Sequence, residues 1–226
     1  MMKKITKAFF LPLMLAFVLT GCNKSGGDDD PSDEGGDSLA YTKEQAANKL
    51  YDYGVSTGFE IKLRTVSDEE VSETATFGFK GTKAWYASGD EHPTGYELVN
   101  NSSIKSYAYN TDTSSYTSLD LPIENPAETF REFVTASTIY FYAASSYSGL
   151  DGFHRVKETT YIGRSATEYS VSVMTLGAAA TWTAIVDNDL GITLKWSIAA
   201  SSSSGTESGS IEMTQFKTGN DVVVPF

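Results

Sequence analysis

Cysteine, histidine and basic charge are all scarce in this chain. Its 226 residues hold one cysteine and two histidines, and 17 Lys+Arg stand against 29 Asp+Glu, a formal net charge of −12. One cysteine excludes an intramolecular disulfide framework and any thiolate metal cluster. Two histidines leave little for a zinc site or general-base chemistry, so no metal and no cofactor is expected. The acidic balance repels nucleic-acid phosphates, so no nucleic-acid partner is expected. Neither a Gly-x-Ser-x-Gly elbow nor a glycine-rich phosphate loop occurs in the sequence. The chain is therefore read as not an enzyme, although a carboxylate pair drawn from distant strands would leave no local signature.

What is present starts with an address. Residues 1–21 open with Lys3, Lys4 and Lys7 and continue in an apolar run from Ala8 to Leu19, too short to span a bilayer comfortably, as a secretory signal does. Leu19-Thr20-Gly21-Cys22 resembles the bacterial lipobox, which implies that Cys22 is acylated and holds the chain to a membrane. Each buried methylene of an acyl chain contributes about 0.8 kcal/mol, so several chains on one residue anchor firmly. Residues 22–39 contain Asp28, Asp29, Asp30, Asp33, Glu34 and Asp37 against Lys24 and almost nothing that packs, the composition of a flexible tether. The acidic run also resembles the surface-export signal of Bacteroidota lipoproteins. The expected location is the outer membrane, lipid-anchored, on its periplasmic face or at the cell surface.

Residues 40–226 read as one domain. Thr42-Lys43-Glu44-Gln45 is a capping-box pattern that starts a short helix over Ala46, Ala47, Leu50 and Tyr51, with Gly54 as its stop. From Gly58 the period changes to two: Phe59, Ile61 and Leu63 alternate with Glu60, Lys62 and Arg64, and a second strand puts Val71, Glu73, Ala75, Phe77 and Phe79 on one face. Short strands follow at 83–87, 95–100, 104–110 and 115–121. Phe130, Phe133, Val134, Tyr140, Phe141 and Ala144 then predict a long amphipathic helix between Pro126 and Ser146. Strands resume at 153–161, 166–174, 181–186, 192–199 and 210–216, and Ser201–Gly205 reads as a flexible hairpin loop. The expected fold class is α+β: a large curved antiparallel sheet, an unclosed β-barrel, with an N-terminal helix and a middle helix capping its concave face.

Chemistry-bearing motifs are few. Asp187-Asn188-Asp189-Leu190-Gly191 begins like a calcium loop, but Gly191 and Ile192 stand where an oxygen ligand and a glycine are needed, so it reads as a hairpin turn. His92, beside Glu91 in a Gly/Asp-rich loop, could ligate a metal or serve as a base but has no second histidine at a useful spacing, and His154, three residues after Asp151 at a strand start, reads as a surface or capping residue. Aromatic residues are the abundant resource, with 12 Phe, 13 Tyr and 3 Trp. Alternating positions let Phe59, Ile61, Phe77, Phe79, Trp85, Tyr107, Tyr109, Phe133, Trp182 and Trp196 line a cavity between sheet and middle helix.

The order of elements, with Phe77–Tyr86, Leu98–Asn110 and Trp182–Trp196, resembles the Lol-type lipoprotein carriers and receptors and their lipid-binding relatives. That resemblance implies a half-barrel whose apolar inside holds acyl chains. The function expected from it is a non-enzymatic, lipid-anchored envelope protein, a monomer, that binds a hydrophobic or amphipathic ligand such as a lipid, an acyl chain or a lipoprotein. The alternative is a surface glycan-binding or adhesion lipoprotein. Buried Trp182 and Trp196 favour the first, and an exposed row of Tyr107, Tyr109 and Tyr116 the second. A purely structural envelope protein would show a filled core and no ligand.

Overall fold

The computed structural model describes residues 43–67, 70–138, 154–175, 178–202 and 205–226. The signal, Cys22, the acidic tether, the Thr42 cap and the second half of the expected middle helix lie outside them.

The described residues form an α+β fold, one open antiparallel sheet of 11 strands with two helices. In chain order these are α1 (Lys43–Ser56), β1 (Phe59–Ser67), β2 (Glu70–Lys80), β3 (Lys83–Ser88), β4 (Thr94–Val99), β5 (Ser103–Asn110), β6 (Ser115–Leu121), α2 (Pro126–Ser137), β7 (His154–Tyr161), β8 (Arg164–Thr175), β9 (Ala178–Asp187), β10 (Thr193–Ser202) and β11 (Gly205–Thr218). Strand order is β6-β5-β4-β3-β2-β1-β11-β10-β9-β8-β7. Two meanders of consecutive hairpins therefore meet at one long-range seam, where Phe59 faces Thr218 and Thr65 faces Ile211.

Both helices pack mainly on the first meander, against β2, β4 and β5. From the helices Ala46, Leu50, Phe130 and Val134 are buried against Phe59, Ile61, Phe77, Phe79, Ala84 and Met213 of the sheet. Rings fill this space: Phe79 lies 5.2 Å from Tyr51, 5.9 Å from Phe130 and 6.1 Å from Phe59.

Four local expectations are corrected. Helix α1 continues through Gly54 to Ser56, because a Cβ at residue 54 would sit 2.1 Å from the Phe79 ring; that glycine marks a close approach, not a stop. The stop comes at Gly58, whose φ of +83° and N–H bond to the Tyr53 carbonyl close the helix end. Helix α2 ends at Ser137: the Thr138 hydroxyl donates to the carbonyls of Val134 (2.9 Å) and Thr135 (3.1 Å), in a β-branched stretch that favours a stop. The Ser201–Gly205 stretch is paired up to Ser202 opposite Gly205, so β10 and β11 extend further than expected. In β2 a bulge places Val71 opposite Val66 and leaves it exposed, off the face predicted for it.

Candidate functional site

Alternation and pairing sort the ten candidate lining residues onto two faces. Phe59, Ile61, Phe77 and Phe79 point to the helix-bearing face and are buried in mutual contact with the helices; Phe133 of α2 is half-buried there, 4.3 Å from Tyr96. Side chains fill the space these five were expected to line.

Trp182 and Trp196 share that face but lie in the second meander. Their rings stack at 4.8 Å, and with Tyr169, Ala184, Val186 and Ile211 they form a second apolar cluster, built from β8–β11. Trp196 is buried and Trp182 half-buried. Val171, opposite Trp182, and Ile198, two residues beyond Trp196, extend the strip.

Trp85, Tyr107 and Tyr109 depart from the expectation. A single row of paired residues runs Lys217, Glu60, Gly78, Trp85, Gly95, Tyr107, Ser118 across seven strands. Gly78 lies between Phe77 and Phe79, so the whole row faces away from the helices. The sequence pattern missed this because the Gly81 turn sets the parity of β3: Trp85 pairs with Gly78, not with a phenylalanine.

The two glycines in that row make room for rings. A Cβ at residue 78 would lie 2.0 Å from the Trp85 indole, and one at residue 95 would lie 2.0 Å from the Phe226 ring. Phe226 arrives from across the sheet. After β11, a short 3-10 turn (Gly219–Asp221) carries the chain onto the outer face, where the Gly219 N–H bonds the Gly58 carbonyl and the Lys80 ammonium donates to the carbonyls of Gly219 (2.9 Å) and Val222 (3.1 Å). Val222 is buried and Val223 exposed. Phe226 stacks on Tyr107 at 4.2 Å, beside Tyr116 at 5.7 Å. Sequence reading missed Phe226, which lies outside every periodic segment.

From there a chain of rings continues to the sheet's β6 edge. Tyr116 stands nearly perpendicular to Tyr109 at 5.4 Å, and His92 stacks on Tyr109 at 3.5 Å. The three tyrosines and Phe226 are half-buried and His92 is exposed. Polar groups border them. The Tyr107 hydroxyl donates to Glu97, a bond that, with burial, pushes its pKa up to about 12. Lys83 lies 3.7 Å from Glu97 and 5.6 Å from the Phe226 ring centroid.

Two buried carboxylates, Glu212 and Asp187, are structural. On the outer face Glu212 is buried; burial raises its pKa, but hydrogen bonds from Lys195, Arg64 and Ser210 outweigh that and hold it at about 2. Asp187 of the calcium-loop lookalike is fully buried, paired with Arg164, and its Oδ1 accepts the N–H groups of Asp189 (2.9 Å) and Leu190 (2.7 Å). It pins a hairpin turn. Among the described residues no three His, Cys, Asp or Glu side chains converge on a point, and no helix is long and apolar enough to cross a membrane.

No protein-family model and no curated protein matches the chain. Among solved structures it is similar to the Pseudomonas aeruginosa MucA/MucB complex, at 14% identity over 78% of this chain and 57% of that one, with a TM-score of 0.36. An outer membrane lipoprotein-sorting protein domain from Vibrio parahaemolyticus is 7% identical over 80% of this chain and 95% of its own (TM-score 0.24). A DUF1329 family protein from Desulfovibrio piger is 7% identical over 83% and 96% (TM-score 0.28). The chain spans little more than half the length of the two MucB structures it matches, 57% and 55%.

Proposed function

We propose that the chain is a non-enzymatic envelope protein, held to the outer membrane through acylated Cys22, whose half-barrel binds an apolar or amphipathic ligand on the helix-bearing face of the second meander. One observation carries this reading. Trp182 and Trp196 stack on adjacent strands and continue into Tyr169, Val171, Ile198 and Ile211, an apolar strip separate from the ring-filled core under the helices. Such a strip suits an acyl chain, whose burial is favoured by about 25 cal/mol for each Å² of apolar surface removed from water.

The three tryptophans allow a direct test. Trp182 and Trp196 are on the helix-bearing face and Trp85 is on the other. Titrating the chain lacking its leader, with Cys22 replaced by serine, with dibromostearate is expected to quench tryptophan emission saturably. The quenching should persist in Trp85→Phe and fall in the Trp182→Phe/Trp196→Phe double variant. Quenching that never saturates, or that survives the double replacement unchanged, refutes the reading.

A further inference from the structure

The outer face differs sharply between the two meanders. Over the second it carries the hydroxyls of Ser170, Ser172, Thr181, Thr183 and Ser197 beside the network that Lys195 forms with the buried Ser210 and Glu212. Over β4–β6 the same face carries Tyr107, Tyr109 and Tyr116, joined by His92 and Phe226 in unbroken ring contact. A half-exposed aromatic cluster outside the core marks an interaction site more often than a lone exposed ring does.

We propose that this cluster is a binding platform for a neutral saccharide, in which Tyr109, Tyr116 and Phe226 take the C–H face of a pyranose ring and Glu97, Lys83 and His92 meet its hydroxyls. Geometry supports the aromatic half. The Tyr107–Phe226 and His92–Tyr109 pairs lie nearly parallel, at 17° and 18°, so each ring has one face turned away from its partner. Tyr116 stands between the pairs, inclined 57° to Phe226 and 75° to Tyr109, and joins them into one cluster of rings. Amphipathic tyrosines suit a ligand that is apolar on one face and hydroxylated at its rim.

Charge selects the ligand class. The cluster is bordered by a carboxylate, an ammonium and an imidazole, to which a lipid tail offers no hydrogen bond. Glu97 accepts from Tyr107 through Oε2, while Oε1 lies 3.7 Å from Lys83, a looser contact into which a hydroxyl can be drawn. The chain's net charge of −12 disfavours acidic polysaccharides. Gly78 and Gly95 keep the platform low by letting Trp85 and Phe226 lie close on the sheet.

The test is calorimetric titration of the full acylated chain, held in a sugar-free zwitterionic detergent, with maltoheptaose, cellohexaose, mannohexaose and xylohexaose. At least one is expected to bind with Kd in the millimolar range or tighter. Tyr109→Ala and Tyr116→Ala should each weaken it about 3- to 10-fold, the effect of one ring contact, with unchanged circular dichroism. Tyr116→Phe should retain binding, and Trp182→Phe should leave it unaffected, which separates this platform from the apolar strip on the other face. Absence of binding to all four sugars, or binding indifferent to both alanine variants, overturns the proposal.

Discussion

Replacing Gly95 by alanine tests whether the outer-face segment is held by its last ring. A Cβ at this position would fall 2.0 Å and 2.2 Å from two atoms of the Phe226 ring and 3.0 Å from the Ala84 carbonyl oxygen. The ring must move, and in moving it loses its 4.2 Å stack on Tyr107. That stack is worth about 0.5–1.5 kcal/mol, and overpacking adds a cost that brings the expected loss to about 1–3 kcal/mol. In a chain that already carries Phe226→Ala the ring is gone, and the Ala84 carbonyl oxygen at 3.0 Å is the close neighbour that stays. There the same substitution is expected to be close to neutral, the gain of about 0.5–1 kcal/mol from removing a glycine inside a strand offsetting that contact. The two substitutions therefore couple by roughly 2 kcal/mol, readable in urea unfolding followed by circular dichroism. Additivity within about 0.5 kcal/mol would refute the packing of Phe226 on Gly95, and with it the seating of the ring cluster.

Three further outcomes are expected. The Glu212 pKa is held at about 2, below its ordinary 4.5, so its ion pairs contribute stability that is fully present above pH 4.5 and lost as pH falls toward 2. The shift corresponds to about 3 kcal/mol; Glu212→Gln should flatten the acid limb of a stability–pH curve, and an unchanged limb would contradict the assignment. Asp187→Ala leaves the Arg164 guanidinium, in a mostly buried site, with the looser Asp189 contact at 3.9 Å and the Phe216 ring, and strips two turn N–H groups of their acceptor, so unfolding free energy should drop by about 3 kcal/mol, whereas a loss below about 1 kcal/mol would show the pair to be dispensable. Cells fed an alkyne-tagged palmitate should label the wild-type chain and not Cys22→Ser, and label persisting in the variant would rule out the lipobox reading.

Much of the sheet was legible because period-two alternation is a direct consequence of a strand with one wet face. Phe59, Ile61, Phe77 and Phe79 fell on the helix-bearing face as their spacing implied. Face assignment failed in β3 and β5. A tight turn such as Lys80–Lys83 fixes which side the next strand presents, and alternation alone is silent about that choice. Trp85, Tyr107 and Tyr109 went to the wrong face together, because consecutive hairpins inherit the parity of the first. Gly54, Gly78 and Gly95 carried the missing signal. A glycine inside a helix or strand marks a surface that something approaches closely, and here the visitors are Phe79, Trp85 and Phe226. The Asp187 turn was recognised as a turn, but its buried ion pair depended on Arg164, 23 residues away.

The single seam between the two meanders has a consequence for the order in which the chain can assemble. Within each meander every strand pairs with its sequence neighbour, so the hairpins close over short loops at little entropic cost. Joining β1 to β11 instead brings residues 59 and 218 together, and that step must wait for both halves. An unfolded chain can thus zip β1–β6 under its two helices, zip β7–β11 separately, and dock the halves last. The segment ending at Phe226 then acts as a latch, since it leaves β11 on one side of the seam and fastens on β4 and β5 of the other. Opening the molecule by force or by denaturant should part it along this seam, and releasing the latch should lower the barrier to doing so.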